Sequence, residues 1–204
     1  MEKTDFKKTM KHLYNPPSGR FTIVDVPPLN FLMIDGHGDP NKAPEFQENT
    51  EALYTLAYTI KFVLKPAGVE FVVPPSEGLW WMENMQEFSL AVKDRWDWTM
   101  MMMQPDAVTP EILISARQQA LRKKALPALE KVRLESYLEG LSVQIMYYGA
   151  YADEGPTIAR MHAYIRDEGY VPNGKHHEIY LGDPRRTPPE KLKTVIRQPV
   201  RKAG

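Results

Sequence analysis

Glu178 stands in the run His176-His177-Glu178-Ile179-Tyr180, a single carboxylate among imidazole and aromatic rings. The run reads as a strand from His176 to Leu181. Side chains alternate along a strand, so His176, Glu178 and Tyr180 share one face and Ile179 and Leu181 the other. The apolar pair is expected to lie under a helix. A carboxylate among rings is poorly hydrated. Its pKa is expected to rise, which suits a general base near neutral pH. The same glutamate also fits a solvated position on an open sheet face, or an ion pair with Arg185, Arg186 or Lys193.

The second chemical feature is an excess of rings and thioethers. The chain of 204 residues holds four tryptophans, as Trp80-Trp81 and Trp96/Trp98, and 11 methionines, four of them consecutive at Met100 to Met103. By alternation Trp96, Trp98, Met100 and Met102 share one face of a strand. Rigid rings with pliable thioethers suit a wall that takes apolar ligands of varied shape. Each of these residues taken singly also fits plain core.

Other chemistries find little support. A metal site would have to combine His176 and Glu178 with the distant His37. His177 points the other way, and there is no HExxH set, so no metal is expected. Gly36-x-Gly38 lacks the rest of a nucleotide-binding glycine pattern, and no GxSxG elbow is present. No cofactor is expected. The absence of cysteine excludes disulfides and thiolate nucleophiles. A formal net charge of zero gives no broad attraction to nucleic acid or anionic lipid. The charged N-terminus lacks a signal-peptide core, and no apolar run is long enough to span a bilayer, so a cytoplasmic location is expected.

The elements that must position these residues follow from periodicity and punctuation. Residues 1–20 read as a peripheral N-terminal arm ending near Pro16-Pro17-Ser18-Gly19. Phe21 to Ile34 is extended, interrupted at Pro27-Pro28. Pro44 to Lys65 is a helix with apolar residues at helical spacing, stopped by Pro66 and Gly68. Val69 to Val73, Leu79 to Met82 and Trp96 to Met103 read as strands. Thr109-Pro110-Glu111 opens a further helix with a hydroxyl cap and a proline in the first turn. Leu141 to Tyr148 is a strand, Thr157 to Asp167 a helix stopped at Gly169, and His176 to Leu181 and Leu192 to Val200 close the chain.

The two halves share one pattern: strand, glycine turn, proline-started helix, glycine stop, strand with an aromatic residue, strand. The fold class is therefore α+β, a duplicated β-α-β-β unit. Repeat one covers about 21–108, a connecting helix about 109–126 and repeat two about 130–200. In this alignment Trp80 matches Tyr180 and Leu79 matches Ile179. Trp80 is then expected on the face away from the helix, beside a ligand cleft at a pseudo-twofold seam.

"GKHHEIYLGDPRRTPPEKLKTVIRQPV", "EGLSVQIMYYGAYADEGPTIARMHAYIRDEGY" and "KVRLESY" resemble the GyrI-like small-molecule-binding family from Phe21 to Val200. The resemblance implies the same duplicated fold, the SHS2 pair. It also implies a planar hydrophobic small molecule as partner. The short stretch before Phe21 leads us to expect the stand-alone branch rather than a DNA-binding regulator, with no direct nucleic-acid binding and no membrane partner. In ligand-sensing relatives a buried glutamate in an aromatic cleft binds lipophilic cations, and Glu178 stands at the matching place.

Some stand-alone relatives are cyclopropanoid hydrolases, which open the strained ring of DNA-alkylating natural products of the yatakemycin and CC-1065 type. The resemblance then implies Glu178 as base and Tyr147 or Tyr148 as donor to the carbonyl that becomes a phenol. Trp80, Trp96, Trp98 and Tyr180 would stack on the ligand, with Met100 and His176 beside them. A non-catalytic multidrug-binding protein is the alternative. A gyrase-modulating protein is a further, less favoured one.

Overall fold

The computed structural model describes residues 3–85 and 88–204. In chain order these form α1 (Phe6–Thr9), α2 (Lys11–Tyr14), β1 (Thr22–Val26), β2 (Leu29–His37), α3 (Pro44–Leu64), β3 (Glu77–Trp81), β4 (Asp97–Gln104), α4 (Pro110–Lys123), β5 (Arg133–Tyr137), β6 (Gly140–Tyr148), α5 (Gly155–Asp167), β7 (Tyr170–Pro172), β8 (His176–Tyr180) and β9 (Lys193–Lys202). They divide into two compact units. Unit 1 contains residues 1–9 and 29–137, and unit 2 contains 10–28 and 138–204.

Both units follow the expected β-α-β-β order within an α+β fold. In unit 1 the antiparallel order is β3-β4-β2-β5, and in unit 2 it is β8-β9-β6-β1, with β7 also on β9. β1 was expected to open the first copy. It pairs instead with β6 and belongs to unit 2. Pro27-Pro28 separates it from β2, because proline cannot donate to a ladder and ends the strand.

In unit 1, α3 begins at Pro44, whose fixed φ suits a first turn. It buries Leu53, Leu56, Ala57, Ile60 and Leu64 along one stripe. Gly68, at φ +82°, ends the turn that follows. Phe46 of α3 sets its ring 5.2 Å from that of Trp98 and 6.1 Å from that of Trp80. This fixes the sheet face that α3 covers. Across it, Trp80, Trp98 and Gly36 form one row, and Gly78, Met100 and Ile34 the next.

In unit 2, α5 packs Met161 and Ile165 against Val143 and Ile145 of β6 and Ile196 and Val200 of β9. Burying each such side chain contributes about 1.5–3 kcal/mol. The rows on this face are Tyr180, Thr194 and Tyr147, then Glu178, Ile196 and Ile145. Glu178 and Tyr180 therefore lie on the α5 side.

This reverses the expected facing. Ile179 was expected under the helix, yet it shares the opposite face with Val195, and Leu79 likewise faces away from Trp80. The reason is that both faces are buried. Ile179, Val195, Leu79 and Met101, on the face away from the helix, are all closed to solvent, so an apolar residue does not mark the helix side.

Two further expectations are corrected. The N-terminal arm is not peripheral. Leu13 and Tyr14 are buried, the Leu13 carbonyl accepts from Arg197 Nη2 at 2.7 Å, and the His12 carbonyl accepts from Gln144 Nε2 at 2.7 Å. Leu13 thus joins a buried polar group in which Glu139 takes hydrogen bonds from His177 Nδ1 (2.8 Å) and Arg197 Nη1 (2.9 Å). Val69 to Val73 is also not a strand. Only Phe71 forms an isolated bridge, to Thr4, and Pro74-Pro75 prevents a longer ladder.

Candidate functional site

The candidate site lies on the α5 side of the unit 2 sheet. Alternation along β8 brings His176, Glu178 and Tyr180 onto this side. His176 Nε2 lies 3.3 Å from Glu178 Oε1, and the Tyr180 hydroxyl donates to Glu178 Oε2 at 2.8 Å. Both carboxylate oxygens are therefore held, as an orienting shell requires. The Glu178 side chain keeps 14% exposure while that of His176 keeps 3%, and Tyr180 is half-buried.

Burial pushes the Glu178 carboxyl up. Hydrogen bonding and charge from His176, and hydrogen bonds from Tyr180 and Glu154, outweigh it and leave Glu178 below the ordinary carboxylate value. The expected rise is thus corrected. Hydrogen bonds to the charged form win over desolvation, so Glu178 is an anion at neutral pH.

Glu154 enters from the turn before α5. Its carbonyl accepts from the amides of Thr157 and Ile158, which start the helix, and its residue surface is 2% exposed. Tyr151, in the same turn, sets its ring 5.4 Å from that of Tyr180, edge to face. The Tyr147 hydroxyl donates to the Ala150 carbonyl at 3.2 Å. Burial raises the Tyr147 pKa, with Glu154 and Asp153 adding to it, so this phenol keeps its proton. Gly149, at φ +147°, leaves room for it, since any Cβ there would overlap the Tyr147 hydroxyl. On α5, burial holds His162 below the usual histidine value, and the charges of His176 and Arg166 add to that. In the middle of the row, the Thr194 hydroxyl is fully buried and finds no hydrogen-bond partner among the described residues.

The other expected site residues fall elsewhere. Tyr148 is half exposed, on the sheet face opposite Tyr147, with the Lys193 ammonium 5.4 Å from its ring centroid. It does not join the Glu178 group, and alternation is the reason. Trp80, Trp96, Trp98 and Met100 belong to unit 1 and are buried there. Trp80 packs edge to face on Trp96 at 5.6 Å, and Phe88 stacks on Trp96 at 4.6 Å. Trp98 Nε1 donates to the Gly38 carbonyl at 3.2 Å, and its ring covers Gly36. In their own unit these rings are core beneath α3. His37 pairs with Asp97 at 2.8 Å on the surface of unit 1. Among the described residues, no group of three or more His, Cys, Asp or Glu is placed to hold a metal ion. Among them, too, no helix is long and apolar enough to cross a membrane.

Sequence reasoning missed Glu154, Tyr151 and Thr194. The signals were an acid immediately before Gly155-Pro156 at a helix start, and a hydroxyl in an otherwise apolar alternation of β9.

A half-buried carboxylate with ring neighbours on a duplicated α+β scaffold suits a small-molecule-binding domain. The profile of the GyrI-like small molecule binding domain matches residues 20–201, and the chain belongs to that family. A crystal structure of a conserved protein from Listeria innocua is 43% identical, with a TM-score of 0.91, covering 98% of this chain and all of that one. A hydrolase from the same organism is 41% identical, with a TM-score of 0.88 and the same coverage. The C-terminal domain of EcmrR shares the fold at 12% identity and a TM-score of 0.59, covering 90% of this chain and 98% of that one. No curated protein matches the chain.

Proposed function

We propose that this protein hydrolyses cyclopropane-bearing, DNA-alkylating natural products of the yatakemycin and CC-1065 type, with Glu178 directing the attacking water. The observation that carries the reading is the Glu178 carboxylate, held at both oxygens by His176 and Tyr180 on a side chain that keeps 14% exposure. The kinship to a hydrolase at 41% identity supports a reaction rather than binding alone.

Such a substrate joins a spirocyclopropane to a conjugated dienone. Water attacks the cyclopropane carbon, the strained C–C bond breaks, and its electron pair makes the ring aromatic. The carbonyl oxygen becomes a phenol. Glu178, an anion at neutral pH, takes the water proton. A lowered pKa makes it a modest base, and strain relief with aromatisation supplies the remaining driving force. Tyr147, whose phenol keeps its proton and shares the α5-side face, is the proposed donor, its hydroxyl turning from the Ala150 carbonyl to the substrate carbonyl oxygen. A positioned base contributes about 10²–10⁴-fold. Incubation with a spirocyclopropane dienone, followed by mass spectrometry and phenol absorbance, tests the reading. Wild type is expected to give the ring-opened phenol, and a compound left intact would overturn it.

One observation favours a second reading. A persistently ionised, partly buried carboxylate beside Tyr180 and Tyr151 also suits a lipophilic cation held without reaction. Fluorescence titration with such a cation then gives reversible binding that weakens in Glu178→Gln. Full affinity in that variant rejects the counter-charge role.

A further inference from the structure

We propose that Thr194 is a substrate-binding residue whose hydroxyl donates to the carbonyl oxygen of the bound ligand. This rests on the hydrolytic reading above and deepens it, because it narrows the ligand to planar compounds that carry a hydrogen-bond acceptor. Thr194 is fully buried in β9, and its hydroxyl has no hydrogen-bond partner among the described residues. Buried polar groups are nearly always satisfied. Two other buried strand hydroxyls obey that rule. Thr99 donates to Asp35 Oδ1 at 2.7 Å, and Ser142 to the Gly140 carbonyl at 3.1 Å.

The place of the Thr194 hydroxyl points to a ligand. Thr194 pairs in register with Tyr180 on one side and Tyr147 on the other, and all three side chains lie on the α5 side. Neighbouring strands run about 4.8 Å apart, so the two rings are anchored about 10 Å apart. Only the small threonine stands between their anchor points. In unit 1 the matching residue is Trp98, whose Nε1 donates to the Gly38 carbonyl at 3.2 Å. Unit 1 thus closes its donor internally, and unit 2 does not. Thr194 has no exposed surface, whereas Tyr180 and Tyr147 beside it are half-buried. A ligand therefore reaches the hydroxyl by moving one of these rings.

A carbonyl oxygen has two lone pairs and accepts from Thr194 and Tyr147 together. In ring opening the water oxygen bonds to the cyclopropane carbon, the C–C bond breaks, and its electron pair moves to the carbonyl oxygen. The water proton goes to Glu178 and the Tyr147 proton to the new phenolate. Exchange with solvent then carries the Glu178 proton back to Tyr147. Thr194 keeps its proton throughout, so the net reaction is addition of water. Its hydrogen bond strengthens as charge gathers on that oxygen. An analogue without the oxygen leaves the buried hydroxyl unpaired and is rejected.

Two measurements on the full chain test the assignment, and the first needs no turnover. Equilibrium dialysis compares fluorenone with fluorene, planar molecules that differ by the carbonyl oxygen, in wild type and Thr194→Val. Valine keeps the shape and removes the hydroxyl. The fluorenone-to-fluorene affinity ratio is expected to fall about fivefold in the variant. An unchanged ratio would overturn the assignment. Infrared spectroscopy of fluorenone bound to wild type reads the contact without any variant. The carbonyl stretch is expected below its value in an apolar solvent, and an unshifted stretch would also overturn it.

The second measurement is ring opening of a spirocyclopropane dienone. Thr194→Val is expected to lower kcat/KM about tenfold or more, with a thermal midpoint at or above that of wild type. Thr194→Ser, which keeps the hydroxyl, is expected to retain most of the rate. Wild-type turnover in Thr194→Val would overturn the contact with the reacting oxygen. If wild type itself leaves the dienone intact, the hydrolytic reading fails while the fluorenone ratio still decides the Thr194 contact.

Discussion

The two units place different side chains at matching points of one scaffold. On the helix side of unit 1 the rows read Trp80, Trp98, Gly36 and Gly78, Met100, Ile34. On the helix side of unit 2 they read Tyr180, Thr194, Tyr147 and Glu178, Ile196, Ile145. Unit 1 fills the space with indoles folded over glycines. A Cβ on Gly78 would stand 2.8 Å from Trp80 Nε1, and one on Gly36 would overlap the Trp98 ring. Unit 2 puts a small threonine where Trp98 stands and a glutamate where Gly78 stands. Tyr147 in turn stands where Gly36 does, so the row carries hydroxyls in place of indoles. Gly78 and Gly36 leave room for the indoles in unit 1, where unit 2 carries the larger Glu178 and Tyr147.

The opposite faces differ too. Behind the unit 2 sheet, His177, Glu139 and Arg197 form a closed ion group. In unit 1, Arg133 binds Asp35 and Glu135, with side chains between 40% and 57% exposed. Loss of one partner from the buried group strands an unpaired buried charge and is costly, whereas loss of an exposed pair costs little.

The sharpest way to break the comparison is at the Gly78/Glu178 position. Glu178→Gln is expected to slow ring opening by about 10²–10⁴-fold while the thermal midpoint stays near that of wild type. Steady-state kinetics and calorimetry together check this, and a variant that turns over normally would make the two units chemically alike.

Next in size is the buried ion group. Burial pushes the Glu139 carboxyl up, yet the charges and hydrogen bonds of His177 and Arg197 bring it down to about 2. Because the folded value lies below the unfolded one, the stabilisation is fully present above about pH 4.5 and is lost as the pH falls towards 2. It is worth about 3 kcal/mol. Urea titrations across that window are expected to show the loss, and Arg133→Ala in unit 1 is expected to cost no more than about 1 kcal/mol.

Gly36→Ala tests the filled copy. The added methyl must displace a fully buried Trp98, at a cost of about 1–3 kcal/mol. A melting temperature equal to wild type would show that the ring has room to move. The smallest effect is at the Trp80/Tyr180 position. Tyr180→Phe removes one hydrogen bond to Glu178, at about 1 kcal/mol. The Glu178 pKa then rises, and the acid limb of the rate profile is expected to move to higher pH. An unmoved limb would separate Tyr180 from the carboxylate.

Much of this was legible in the chain. Pro44, Gly68, Pro110, Pro156 and Gly169 punctuate the helices because their backbone limits are local. Period-two alternation correctly grouped His176 with Glu178 and Tyr180, and Trp98 with Met100. It could not say which face met a helix, since Ile179 and Leu79 are as buried as the residues on the other side. It also missed Glu154, which approaches Glu178 only through the turn into α5.

The amino-acid order by itself determined the α+β class, the repeated element order and the residues sharing each strand face, because these depend on interactions between near neighbours. Only the tertiary structure decided the facing of each sheet, the inclusion of residues 10–17 in unit 2 and the sign of the Glu178 shift. Those outcomes depend on groups distant in sequence, and electrostatic energy follows distance in space rather than along the chain.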